Sequence, residues 1–347
     1  MVDFRKKLGK KEIEKKVNPI EIYDSLDRKS ETGPLRPAQQ FILENWFNEK
    51  QNDKNLIIKL HTGQGKTLIG LLILLSKLNN GNGPCLYICP NIYLSWQTVE
   101  EAKKFGIPYC VVGKDGEIPD EFLNGEKILI TYVQKVFNGK TKFGLDNNSI
   151  KVNNIILDDS HACIDSLKSS FTIRIKKEEE LFNKFISLFE NDLEGQGAGS
   201  FLDIRNGKSD TILPVPYWSW DKKKHEVLKL LSEEQNNTSI TFAWPLMRDN
   251  LENFRALVSG QYIELTPYHI PIHHFGSFNN ANQRILMSAT TQDDSFFIKG
   301  LGFDLDSISN PLIDPNQKWS GEKMLILPSL IDDTLDRDAI VESMAIP

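Results

Sequence analysis

Short, nearly continuous apolar runs recur along this chain, separated by longer stretches of helical periodicity. LIIKL (56–60), CLYIC (85–89), ILIT (128–131), NIILD (154–158) and RILMS (284–288) are runs of this kind. Such runs suit strands covered on both faces, which predicts a mostly parallel sheet with helices on either side. Thr67 to Leu78 reads as a helix that is apolar on most of its surface, and Tyr93 to Phe105 as a second. Between Cys163 and Arg284 the rhythm changes. Leu181, Phe182, Phe185, Ile186, Phe189 and Leu193 mark one face of an amphipathic helix, which EGQGAGS stops or hinges. Further helical stretches are expected near Lys222 to Glu233 and Leu246 to Val258. This block reads as a largely helical subdomain inserted into the sheet domain.

Composition narrows the picture by exclusion. The chain has 347 residues, a net charge of −6 and 40% hydrophobic content, enough for one large domain or two smaller ones. Without a global basic field, any nucleic-acid contact must come from a local groove. The apolar run Leu68–Leu75 is far short of the roughly 20 residues a bilayer span needs. The charged N-terminus, MVDFRKKLGKK, lacks the apolar core of a signal peptide, so a cytoplasmic chain without membrane contact is expected. Residues 1–34 read as an extension with seven Lys or Arg between Arg5 and Lys16, either a solvated arm or one that contacts phosphates. Cys85, Cys89, Cys110 and Cys163 form no C-x-x-C pair and read as reduced core thiols. His269, His273 and His274 lie close in sequence, but Pro267 and Pro271 disfavour a helical ligand pair. VPYWSWDKKK (215–224) sets Tyr217, Trp218 and Trp220 before three lysines. It admits a single-strand channel, but a Trp-rich mini-core is the expected reading, with Trp244 and Tyr262 as plainer core candidates.

The strongest chemical signal is KLHTGQGKTLIG. A strand ends at Leu60, and a loop holding Thr62, Gly63, Gln64 and Gly65 runs into Lys66 and Thr67 at a helix start. Glycines let backbone N–H groups turn inward on phosphate oxygens, and the helix N-terminus adds partial positive charge. Lys66 is placed to reach the β- and γ-phosphates of ATP, and the Thr67 hydroxyl to hold Mg²⁺. The full G-x-x-x-x-G-K-T pattern would need Gly at 60, where this chain has Leu60; the shorter T-G-x-G-K-T form is present. ILDDSHAC (156–163) supplies the other half. Asp158, at a strand's C-terminal end, is placed to hold Mg²⁺ through water, and Asp159 to orient or deprotonate the attacking water.

HTGQGKT, DDSH and SAT (288–290), in this order, resemble motifs I, II and III of superfamily 2 helicases of the DExH kind. LRPAQ (35–39) is similar to their upstream glutamine motif, in which Gln39 would read the adenine. CPNIYLSWQ (89–97) resembles motif Ia, with Pro90 and Asn91 facing the nucleic acid, and Thr131 of ILIT resembles the next backbone-contacting motif. His161, Ser288 and Thr290 would couple hydrolysis to strand grip. With GKKEIEKKVNPIEIYDSLDRKS and DDSHACIDS added, the chain resembles a group of bacterial DEAD/DEAH-box helicase proteins, some of which look like helicase components of phage-defence systems.

The resemblance implies a RecA-like P-loop α/β domain of three layers, formed by 35–165 and 281–325 around an inserted subdomain at 166–280. The long interval from His161 to Ser288 accounts for that insert, an arrangement similar in outline to XPD-like helicases but without their iron–sulfur cysteines. Residues 326–347 would be a linker or the start of a second RecA-like domain. The implied activity is that of an ATP-dependent nucleic-acid motor, with a defence-system protein as a further partner. Motif II departs from the common pattern, because Asp159 stands where many hydrolysing members carry Glu. The shorter side chain draws the carboxylate back by roughly 1.5 Å, and a misplacement of about 1 Å can cost on the order of 100-fold. That departure keeps open a second class, a nucleotide-gated scaffold or sensor that hardly hydrolyses. A P-loop kinase or GTPase fits poorly, since neither explains LRPAQ upstream or SAT after a long insert.

Overall fold

The computed structural model describes residues 15–29, 32–61, 63–289, 295–315 and 338. Thr62, Thr290, most of the basic N-terminal arm and, Asp338 apart, the expected linker at 326–347 lie outside the described residues. One unit ends at Asp314 and a second begins at Pro315; the elements described here belong to the first.

The five expected strands are all present: β1 (Asn55–Lys59), β2 (Cys85–Cys89), β4 (Ile128–Tyr132), β5 (Asn154–Leu157) and β10 (Gln283–Ser288). Two short edge strands join them, β3 (Tyr109–Val111) and β11 (Leu312–Ile313), giving seven strands in the order β11-β1-β10-β5-β2-β4-β3. Every pairing in this sheet is parallel. Alternation along each strand explains the unbroken apolar runs. Leu56, Ile58, Tyr87, Ile156, Ile285 and Met287 face one core, packed under the helices Pro37–Asn45, Lys66–Asn79 and Ile92–Phe105. Ile57, Leu86, Ile88, Ile155, Leu157 and Leu286 face the other, against the helix Ser160–Ser170 and the aromatic group Phe137, Phe275 and Phe278. The result is an α/β fold of three layers with a parallel central sheet.

The intervening segment has its own core and its own sheet. Strands β6 (Ile173–Lys176), β7 (Ile212–Pro214), β8 (Phe254–Ser259) and β9 (Tyr262–Pro267) pair antiparallel in the order β6-β9-β8-β7. Helices Glu180–Gln196, Ala198–Arg205 and Tyr217–Glu233 accompany it. The break at Gly197 falls within the glycine loop, between the first two of these helices. The expected helix over Leu246–Val258 is not one. It is a single helical turn (Trp244–Met247), a 3-10 turn (Leu251–Asn253) and then β8. Pairing with β7 and β9 overrides the local spacing there.

The aromatic segment splits between the two readings. Trp220 is buried, donates from Nε1 to the Leu251 carbonyl at 2.8 Å and stacks on Phe189 at 6.2 Å and 12°. Tyr217 and Trp218 remain exposed, edge to face at 5.1 Å. Trp244 is buried, whereas Tyr262 is half-buried beneath the Arg174 guanidinium. All four cysteines are free, and Cys85, Cys89 and Cys163 are buried. His274 bonds Asp146 through Nδ1 at 2.8 Å, with the His273 ring beside it. Among the described residues no three or more His, Cys, Asp or Glu side chains group as they would around a metal ion. No helix among them is long and apolar enough to cross a membrane.

Candidate nucleotide site

Strands β1, β10 and β5 are neighbours, so their C-terminal ends bring three sequence motifs to one edge of the sheet. Open parallel sheets bind ligands at this edge. Lys59 pairs with Ser288, and the Leu60 N–H donates to the Ser288 carbonyl at 2.9 Å. The start of the glycine loop after β1 is thereby tied to the end of β10.

The loop itself turns on two left-handed glycines, Gly63 at φ 82° and Gly65 at φ 76°. Gly65 is the N-cap of the helix Lys66–Asn79, so Lys66 and Thr67 occupy its first two positions. Gln64 is nearly buried, and its Oε1 accepts from the His61 N–H at 3.1 Å, bracing the loop from within. Gln39 lies against the same loop. Its Oε1 accepts from Arg36 N–H at 2.9 Å, and its Nε2 points at the Gly65 carbonyl at 3.4 Å. Arg36 donates through Nη1 to the Gly63 carbonyl. Sequence reasoning passed over Arg36, although it sits within LRPAQ.

Asp158 follows β5, and both of its oxygens are engaged. Oδ2 accepts from the Tyr87 hydroxyl at 2.8 Å, and Oδ1 from the Asp159 N–H at 2.9 Å. Burial pushes the Asp158 carboxyl above its usual range, while the Tyr87 hydrogen bond, the Lys66 charge and the Asp159 N–H pull the other way. Asp159 differs from its neighbour: it is exposed, has φ 43° and ψ 66°, and stands at the N-cap position of the helix Ser160–Ser170 without a side-chain capping bond. The pair therefore combines a shielded carboxylate with one open to water. Cys163 donates its thiol to the Asp158 carbonyl at 3.0 Å, and burial pushes that thiol far above the range in which it would ionise. His161, in the first turn of that helix, lies half-buried with its ring 5.9 Å from Phe297. Ser288 is buried, and Thr290 lies outside the described residues.

The donor set fits a nucleotide with Mg²⁺. A Thr hydroxyl and an Asp carboxylate are hard oxygen donors of the kind Mg²⁺ takes beside substrate phosphates. The paired positive-φ glycines at a helix start form the cradle that phosphates need.

The three residues expected on a nucleic-acid face are placed differently from one another. Pro90 and Thr131 are buried; Asn91 is exposed and N-caps the helix Ile92–Phe105, accepting from the Leu94 N–H at 3.0 Å. One turn on, Tyr93 and Trp96 are each 69% exposed. They line a groove of about 930 Å³ with Thr131, Tyr132 and several lysines. Both were legible within CPNIYLSWQ as aromatic residues, but only their exposure sets them apart from core.

Residues 32–189 match the family model described as the res subunit of type III restriction enzymes. That family model is of the superfamily 2 helicase type, and its match covers 158 of the chain's 347 residues. Solved structures similar to the chain include an XPD helicase (12% identity, TM-score 0.45, covering 81% of this chain and 62% of that one). Another is Xpd4 of S. tokodaii, with 12% identity and TM-score 0.48, covering 80% of this chain and 61% of that one. The chain thus spans about three-fifths of the length of these two proteins. No curated protein matches it.

Proposed function

We propose that the helicase-type domain is the ATP-binding lobe of a two-lobe nucleic-acid motor that works in the cytoplasm. The observation that carries this reading is the meeting of phosphate loop, Asp158–Asp159 and Ser288 at the ends of three adjacent parallel strands. Gly63, Gly65 and Lys66 hold the phosphates, together with Thr62, and Gln39 links the loop to the adenine. Mg²⁺, held by Thr67 and through water by Asp158, would screen the phosphate charge. Asp159 takes the proton of a water whose oxygen attacks the γ-phosphorus, while the bond to the β,γ-bridging oxygen breaks and ADP leaves. His161, Ser288 and Thr290 relay the change to a strand held near Pro90, Asn91 and Thr131, with Tyr93 and Trp96 offering stacking faces. The insert at 166–280 forms a subdomain beside this track. A second RecA-like lobe and a defence-system protein are the proposed partners.

The test is ATP turnover with and without single-stranded DNA or RNA. Stimulated turnover in the parent, lost in both Lys66→Ala and Asp159→Asn, supports the motor; undiminished turnover in both variants refutes it.

One observation favours the scaffold reading. Asp159 is exposed and its side chain is short, so its carboxylate holds a water less firmly than a shielded, longer acid would. A chain that binds ATP tightly, yet turns it over at a rate indifferent to Asp159→Asn, is a sensor rather than a motor.

A further inference from the structure

Tyr87 lies in the middle of β2, within a run that reads as plain core, and it is fully buried. Its ring runs beneath the helix Lys66–Asn79 through a slot that Gly70 leaves open. A β-carbon at position 70 would lie 2.8 Å from Tyr87 Cε2, 2.9 Å from Met287 Cε and 3.2 Å from Ile156 Cδ1. The slot delivers the phenol to the nucleotide edge of the sheet, where it meets two residues from different elements. The hydroxyl donates to Asp158 Oδ2 at 2.8 Å, and the Thr67 side chain lies near the same phenol.

A phenol carries one hydrogen. Because that hydrogen goes to the Asp158 carboxylate, the phenol oxygen can only accept from a neighbour such as Thr67. A Thr67 hydroxyl that donates there keeps its lone pairs for a cation. Asp158 is fixed as well, since its second oxygen is held by the Asp159 N–H at 2.9 Å. A phenylalanine would fill the same slot and pack equally well. What the hydroxyl adds falls on Asp158, with Thr67 beside it, the two residues assigned to Mg²⁺.

We infer that Tyr87 is a positioning residue for the Mg²⁺ site, aligning Thr67 and Asp158 before nucleotide arrives. The inference rests on the nucleotide reading proposed above. Outer-shell partners of this kind commonly contribute about 10- to 100-fold to metal affinity. A residue that served only the core would affect nucleotide binding equally with and without the metal.

The experiment compares the parent chain with Tyr87→Phe by titrating a fluorescent ADP analogue, first in EDTA and then across a Mg²⁺ series. The inference expects the half-saturating Mg²⁺ concentration to rise about 10-fold or more, with EDTA affinity and melting temperature nearly unchanged. An unmoved Mg²⁺ midpoint overturns it, as does an equal loss of affinity in both conditions. The parent titration judges the nucleotide reading separately: a parent that binds no nucleotide in either condition removes that reading, and this inference with it.

Discussion

The Gln39 side-chain amide occupies the space that a β-carbon on Gly65 would need: such a carbon would lie 2.3 Å from Gln39 Nε2. The LRPAQ segment and the glycine loop therefore touch, and Gly65 serves both contact and turn. Gly63 has the same left-handed backbone, but no described atom lies within 4 Å of its would-be β-carbon. The two glycines should respond differently to alanine. Gly63→Ala incurs only the left-handed penalty, about 1–2 kcal/mol, whereas Gly65→Ala adds a clash that pushes Gln39 off the loop. Melting curves without nucleotide should rank parent, Gly63→Ala and Gly65→Ala in falling order. Adding Gln39→Ala to Gly65→Ala should restore part of the loss, and an absence of recovery would show that the amide is not what the β-carbon meets.

Asp159 has φ 43°, a backbone that Asp and Asn tolerate better than longer side chains do. Asp159→Asn should keep both the fold and nucleotide binding while losing turnover. Asp159→Glu should cost on the order of 1 kcal/mol in stability, a drop of about 2–4 °C for a domain of this size. If the site is built around the short acid, turnover also falls with Glu. A strong rise in turnover in Asp159→Glu would instead mark Asp159 as a brake and favour the scaffold.

Continuous apolar runs made the five interior strands and the parallel sheet legible, because burial on both faces leaves no polar position to blur them. Tyr109–Val111 and Leu312–Ile313 were not legible, since each is very short and partly exposed at a sheet edge. Leu246, Met247, Leu251, Phe254 and Val258 recur at helical intervals, yet Phe254, Ala256 and Val258 also alternate, and only pairing with the adjacent β9 and the more distant β7 decides between the two. The placement of Gly63, Gly65, Lys66 and Asp158 at one edge of the sheet was legible through spacing. That of the Tyr87 hydroxyl was not, because it reaches this edge through a slot formed by Gly70 on another element.

The insert offers a stability contrast within three residues. Trp220 is 3% exposed and packs on Phe185 and Phe189, whereas Trp218 is 61% exposed. Trp220→Ala should cost about 3–5 kcal/mol, and Trp218→Ala about 0.5 kcal/mol or less. Chemical denaturation monitored by far-ultraviolet circular dichroism separates the two. Comparable losses would mean that Trp218 is covered by something that packs on the same face.

Asp304 carries a pH-dependent contribution whose sign can be worked out. Its carboxylate accepts from Asn55 Nδ2 at 2.7 Å and from the Ser307 N–H at 2.7 Å, and Asn55 Oδ1 in turn accepts from Arg284 Nε at 2.9 Å. The Asn55 hydrogen bond is the largest cause holding the Asp304 carboxyl below its usual range. Burial lowers the Arg284 guanidinium to about 10, so it stays charged throughout the relevant window. An acid with a depressed folded pKa adds stability above its unfolded pKa and loses it as pH falls through the folded value. Asp304→Asn keeps a side chain able to cap the helix Leu305–Ser309 but removes the charge. The stability gap between parent and variant should therefore be flat near neutral pH and close as pH falls below about 4. Because Asp304 is largely exposed, the gap should also shrink in high salt. Urea melts at a series of pH values measure it directly, and a gap that widens toward acid would contradict the assignment.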